Sequence, residues 1–167
     1  SEEREAIEEF LTTDTRVKDL ARCDISSATA VSDDYSVTAY VEVLQPDDLP
    51  RFMELYDCKT GETITLDDGG VYIDQKLSEL LGITVGDTFL IDGDARANVT
   101  VAGIFEHYTG HFIYMTPGYY EKTFGTPAET GAYLLTLESD DEELCSALFE
   151  ELLSLNGVAA TTRMRDT

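Results

Sequence analysis

Residues 77–91 read LSELLGITVGDTFLI, and this stretch constrains the fold more than any other. Leu77, Leu80 and Leu81 recur at helical spacing and give a short helix an apolar inner face. Gly82 stops that helix, because the left-handed cap position strains any residue that carries a Cβ. The β-branched pair Ile83–Thr84 follows, and Val85–Gly86–Asp87 turns the chain into a strand. Upstream, GVYID at 70–74 leads into the helix as another strand. Elements joined by so few residues must pack on one another, so the segment predicts one helix fixed against one curled β unit.

The flanks read as an α+β chain. From Glu2 to about Leu11, the residues Ala6, Ile7, Phe10 and Leu11 share a helix face opposite a row of glutamates. SSATAVSDDYSVTAYVEVL reads as two strands around an aspartate-rich turn. Pro46 and the aspartates of QPDDLPRFMELY resemble a helix N-terminus, and GETITLDDGG predicts a short strand. DTFLIDGDARANVTVAGIFEHYTGHFIYMT predicts three strands with turns at DGD and YTG. GAYLLTLES predicts a strand, DDEELCSALFEELLSLNG a helix with acids at its positive end and a stop at Gly157, and VAATTRM a closing strand. That final strand–helix–strand is expected to pair with the early hairpin. The chain then divides into a discontinuous α/β subdomain, 1–68 with 131–167, with helices packed on a mixed or antiparallel sheet. Residues 69–130 form an inserted subdomain of one helix and a curled β-sheet.

With 167 residues, 43% of them hydrophobic, the chain can bury a core of its own. Its longest apolar runs, such as YLLTL at 133–137, fall far short of the roughly 18 residues of a membrane span. No charged-then-apolar leader opens the chain, and both ends read as cut. Eleven basic residues stand against 34 acidic ones, a net charge of −23. That balance argues against nucleic acid or anionic lipid as a partner, since phosphates call for clustered Lys and Arg. The acids of SEEREAIEEF and ESDDEELCSALFEEL read as solvated helix faces, with a cation or a basic partner as the alternative.

Residues able to carry chemistry are few. Cys23, Cys58 and Cys145 are odd in number and lack CxxC spacing, which supports neither a disulfide framework nor zinc ligation. A single Cys23–Cys58 bridge stays open, and Cys145 reads as a small buried hydrophobe. His107 and His111 stand four apart beside Glu106, a spacing that would ligate zinc from one helix face. The strand and turn residues around them place them instead beside a hairpin tip. DGD at 92–94 begins like a calcium loop, but the twelfth position is Gly103 where a glutamate is required. No G-x-S-x-G and no phosphate loop occurs. No catalytic residue, metal site or cofactor is expected. What remains is EHYTGHFIYMTPGYYEKTFG, where Tyr108, Phe112, Tyr114, Tyr119, Tyr120 and Phe124 crowd around His111. That density predicts an exposed contact surface for a protein, peptide or lipid-like ligand, although tyrosines also bridge core and solvent.

The stretch from GVYIDQKLSELLGITVGDTFLI through VTVAGIFEHY to FIYMTPGYYEKTFG resembles the extracytoplasmic domain of FtsX-like, MacB-like ABC-transporter permeases. The residues that carry the resemblance are Ile73, Asp74, Leu77, Leu81, Gly82, Val85, Gly86 and Asp87. Val101, Gly103 and Ile104 match a following strand, and Tyr114 with Met115 the next one. The likeness is firmest over about residues 69–120. It implies a porter-like subdomain with a β-rich insertion, set between two membrane helices on the outer face of a bacterial cell membrane. The short segment after the motif implies a compact domain of the Gram-positive kind.

The resemblance further implies a non-catalytic module that passes ATP-driven motion of transmembrane helices to substrate export or release. Its implied partners are its own transmembrane helices, a cytoplasmic ATPase subunit and a second permease copy or half. Leu77, Leu81, Gly82, Gly86, Asp87 and Gly103 are then structural motif residues. Two other classes stay open: a stand-alone extracellular peptide- or cation-binding module, and a small metal-dependent hydrolase using His107, His111, Glu106 or Cys145.

Overall fold

Alternation of small or branched inward residues with outward polar ones runs through most of the strands, and in three dimensions it closes them on themselves. The computed structural model describes residues 2–106, 110–129, 131–139 and 141–153. Along the chain these form α1 (Glu2–Thr13), β1 (Val17–Ser32), β2 (Tyr35–Val43), α2 (Leu49–Phe52), β3 (Val71–Asp74) and α3 (Gln75–Leu81). They continue as β4 (Thr88–Asp92), β5 (Arg96–Phe105), β6 (Phe112–Met115), α4 (Pro117–Phe124), β7 (Ala132–Leu137) and α5 (Glu142–Leu153). The result is a mixed α+β fold in two compact units, Arg22–Tyr133 and Ser1–Ala21 with Leu134–Thr167.

Within Arg22–Tyr133 the strands run in the order β2-β6-β3-β5-β4-β1, and β1 pairs again with β2, closing a six-stranded barrel. The pairs β2–β6 and β3–β5 are parallel, and the other four are antiparallel. The β1–β2 hairpin turns on Asp33 and Asp34 between the paired Ser32 and Tyr35, with Asp33 at φ 51°. Aspartate is among the few non-glycine residues that tolerate that left-handed conformation.

Ala28, Ala30, Ala39, Val41, Val43, Ile73, Ile91, Val99, Val101, Ile113 and Met115 belong to the interior cluster, joined by Leu77 and Leu81 of α3 and Tyr119 of α4. Each fully buried leucine stabilises the unit by about 1.5–3 kcal/mol. Gly82 ends α3 at φ 68°, its amide closing on Glu79 and Ser78. The next turn is pinned to β5: Asp87 Oδ2 accepts from Thr84 N at 2.9 Å, and Gly86 N donates to Val101 O at 2.9 Å. The sequence motif is thus the device that fastens α3 and β4 to the barrel.

Several expectations shift. The early hairpin was expected to pair with the terminal strands, and β7 does lie beside β1; the hairpin pairs as well with β4 and β6, because its inward alanines and valines match the interior of the ring. β5 and β6, read as a hairpin, have β3 between them. Leu80 is exposed; of the three leucines only the i, i+4 pair Leu77 and Leu81 is buried, with Ser78 beside it. The helix at QPDDLPRFMELY is a single turn, and GETITLDDGG forms only the isolated bridge Tyr56↔Thr63. α4 was not expected, although Thr116 as N-cap, Pro117 and a closing Gly125 at φ 81° are ordinary helix signals.

In the unit of terminal segments, α1 buries Ile7 and Leu11, and α5 buries Cys145, Leu148 and Leu152. Asp141 caps α5, accepting from Glu143 N at 2.9 Å. Arg16 binds Asp14 through Nε at 2.8 Å and pairs with Glu151. The guanidinium holds the Asp14 carboxyl down at about 2. The expected closing strand and Gly157 lie outside the described residues. Among the described residues no helix is long and apolar enough to cross a membrane.

Candidate functional site

Asp74 ends β3 and starts α3, and its side chain is 0% exposed. Three donors converge on it. Leu77 N gives Oδ2 the helix-capping bond at 2.9 Å, Phe112 N reaches Oδ1 at 2.9 Å, and His111 Nδ1 lies 3.1 Å from Oδ2. A carboxylate only accepts, so in this pairing Nδ1 is the donor. Burying such a group without partners costs several kcal/mol, and the three bonds offset that cost. Asp74 therefore ties a helix start, a strand start and the one histidine among the described residues into one node.

Beside that node lies an aromatic face. Along β2 and β6, Val41, Val43, Ile113 and Met115 point into the barrel, so Tyr40, Glu42, Phe112 and Tyr114 point outward. Tyr40 and Phe112 are register partners with ring centroids 5.7 Å apart at 27°. Phe112 stacks on Tyr114 at 6.1 Å, and Tyr114 meets Phe105 at 5.5 Å. This ladder runs from Tyr40, 49% exposed, to Tyr114, 1% exposed. His111, with a side chain 25% exposed, precedes Phe112 and accepts through its carbonyl from Tyr40 N at 2.9 Å.

The residue 44–66 arm covers the inner end. Tyr114 donates its hydroxyl to Met53 Sδ at 3.2 Å. The arm is fastened to β5 by Cys58 N to Ile104 O at 3.1 Å and Glu106 N to Tyr56 O at 3.0 Å. Its buried Leu49, Leu55 and Leu66 lie outside the interior cluster. Glu42, the register partner of Tyr114, is buried beside it, and desolvation pushes its carboxyl up to about 7.

The expected aromatic patch is thus divided. Phe112 and His111 stand on the outer face with Tyr40, and Tyr114 is buried behind them. Tyr119 is a core residue whose hydroxyl accepts from Thr100 N at 3.0 Å. Tyr120 is half-buried against the core and stacks on Phe124 at 4.4 Å. Burial, and then Asp24 and Glu129, push the Tyr120 phenol upward. His107 and Tyr108 lie outside the described residues. Of the motif residues, Leu77, Leu81, Gly82, Gly86 and Asp87 build the α3 junction, and Gly103 leaves room for the Tyr72 ring. Tyr40 escaped notice because its sequence neighbours are ordinary strand residues; only the β2–β6 register brings it to Phe112. Asp74 carried a legible signal, an acid three residues before Leu77 at a helix start.

Chemically the face offers stacking and one imidazole. Among the described residues no serine, threonine or cysteine hydrogen-bonds His111, and no three His, Cys, Asp or Glu side chains gather as a metal-holding group. Cys23, Cys58 and Cys145 form no disulfide; Cys23 and Cys145 are buried, and burial pushes the Cys58 thiol up, away from reactivity. A cleft lined by Arg22, Gln45, Asp48 and Glu121 measures about 260 Å³. That lies just below the roughly 300–1,000 Å³ usual for small-molecule sites.

No protein-family profile matches the sequence, and no curated protein matches it. Solved structures do. The extracellular domain of the noncanonic ABC-type transporter YknZ from Gram-positive bacteria is similar with a TM-score of 0.50 and 21% identity, over 88% of this chain and 82% of that one. The periplasmic region of MacB from Actinobacillus actinomycetemcomitans has a TM-score of 0.49 and 16% identity, over 89% of this chain and 72% of that one. The first of these is a likeness of fold extending across both compact units.

Proposed function

We propose that this chain is the non-catalytic extracytoplasmic domain of an FtsX-like, MacB-like ABC-transporter permease, passing ATP-driven motion of transmembrane helices to substrate export or release. The observation that carries this reading is the YknZ likeness over 88% of the chain, with the Leu77–Asp87 motif built as the junction of helix and barrel. Both terminal segments belong to one unit, which suits a module tethered at its two ends to the same membrane face. In this reading the terminal unit is the porter-like part, and the β-rich insertion expected at 69–130 is widened to the unit Arg22–Tyr133. A ring with every strand paired on both sides moves as a rigid body, since packed interiors resist continuous deformation. The partners are the flanking transmembrane helices, a cytoplasmic ATPase and a second permease copy or half.

Tyr40, His111 and Phe112 form the face this domain offers to what it contacts, with Tyr114 as its buried support. Their stacked, partly exposed rings favour a protein or peptide surface over a small molecule.

The test uses the intact open reading frame with its ATPase. A cysteine replacing the exposed Val85 is expected to react with a membrane-impermeant maleimide in whole cells. Replacing residues 22–133 with a short Gly/Ser linker is expected to leave ATP hydrolysis and abolish coupled transport. Labelling seen only after lysis, or transport that survives the replacement, would defeat the reading.

A further inference from the structure

Glu42 takes no part in the contact face. It stands on the outward side of β2, 1% exposed, and among the described residues neither carboxyl oxygen has a hydrogen-bond partner. An unpaired buried acid is tolerated far better neutral than ionised. Desolvation accordingly raises it from 4.5 to about 7, and the nearby Tyr114 hydroxyl offsets only part of that rise.

Among the described residues the strands and the arm around it supply no counter-charge. From β1, Ile25 lies opposite in register, with Cys23 and Ser27 as the adjacent outward positions. β2 contributes Tyr40 and Leu44, and β6 contributes Phe112 and Tyr114. The titratable members of this set, Cys23, Tyr40 and Tyr114, are themselves acids. From the arm, Met53 sits on the Tyr114 hydroxyl. The arm's charges are engaged elsewhere or exposed: Arg51 pairs with Asp48, Glu54 accepts from Tyr56, and Asp57 caps Lys59 N and Thr60 N. Lys59, Glu62 and Asp47 are turned to solvent or partly so.

We propose that Glu42 is a proton-operated latch on the 44–66 arm: as the neutral acid it lets the arm close over the β2–β6 face, and as the carboxylate it draws water beneath the arm and loosens it. The hinge points are at hand. Leu44 N is held to Met115 O at 3.2 Å, and the Tyr56 and Cys58 bonds clamp the far side, so the stretch between them carries the motion. The sign follows from a raised folded value. The stabilisation is complete below the unfolded value of 4.5 and drains away as pH rises to about 7.

Hydrogen exchange of the whole chain, read by mass spectrometry from pH 5 to pH 9 and corrected for intrinsic rates, tests the latch. Opening of the arm peptides is expected to rise between tenfold and about 75-fold, the ceiling that the gap between the two values allows over this pH range, while peptides of β5 stay unchanged. Glu42→Gln is expected to abolish that rise. Arm protection that ignores pH in the native chain, or a rise retained in Glu42→Gln, overturns the proposal. Should the variant not fold, carbon NMR of the Glu42 carboxyl in the native chain decides. A midpoint above about 6 supports the latch, and one below about 6 sinks it.

Discussion

Replacing Asp74 with alanine removes a buried acceptor from three donors at once, and the cost can be built from them. Loss of the α3 cap on Leu77 N is worth about 1 kcal/mol. Phe112 N, left without its partner beside β3, adds about 1–3 kcal/mol, the usual penalty for stranding a buried donor. His111, a quarter exposed, recovers most of its loss from water. The expected destabilisation is therefore about 3 kcal/mol. Asp74→Asn keeps one carbonyl oxygen but turns an amide donor toward a backbone donor, so about 2 kcal/mol is expected. Urea unfolding followed by tyrosine fluorescence is the natural assay. The chain has nine tyrosines and no tryptophan, and every tyrosine falls in Arg22–Tyr133, so the signal reports the unit that contains Asp74. An unchanged m-value with a lower midpoint is the expected signature. If both variants unfold within about 0.5 kcal/mol of the native chain, the node at Asp74 does not hold the barrel together as reasoned here.

Two glycines separate strain from crowding. At Gly82 an added Cβ meets nothing within 4 Å and pays only for the left-handed φ, about 1 kcal/mol. At Gly70 the Cβ would sit 2.4 Å from Thr100 O, so Gly70→Ala is expected to cost about 3 kcal/mol, and equal costs in denaturant midpoints would contradict this. Tyr119→Phe leaves Thr100 N without its acceptor and is expected to lower barrel stability by about 1–2 kcal/mol in the same assay. The Asp14–Arg16 pair predicts acid sensitivity in the terminal unit. A carboxyl held at about 2 contributes its full stabilisation above its ordinary 3.8 and loses it as pH falls through about 2. In Arg16→Met, circular dichroism should show α1 and α5 melting without that acid-linked phase.

Local features were readable because they obey local rules. The Leu77–Gly82 helix, its glycine stop and the Val85–Asp87 turn emerge as expected, since capping and turn chemistry are set by neighbours in sequence. The β1–β2 hairpin and the three strands from Thr88 to Met115 were legible for the same reason. Partnership among strands was not. Alternation announces that β3 or β6 has a buried face, but nothing in VYID or FIYM says that β3 sits between β5 and β6, or that β2 runs parallel to β6. The candidate face depended on that register. Phe112 was visible as one of a crowd, while Tyr40 became its partner only through pairing across the ring. Tyr114 and Tyr119 were misjudged as surface because tyrosine composition does not distinguish a buried hydroxyl with a partner from an exposed one.

The barrel's parallel seam sets a timetable for the chain's own birth. Tyr40 and Phe112 are neighbours in space but about seventy residues apart in the order of synthesis. At roughly 5–20 residues per second, β2 leaves the ribosome with one side unclaimed for about four to fourteen seconds before β6 arrives. A bare strand flank of that duration invites pairing with other nascent chains. The Tyr40 side of the molecule is consequently the part that most needs chaperoning while it is being made.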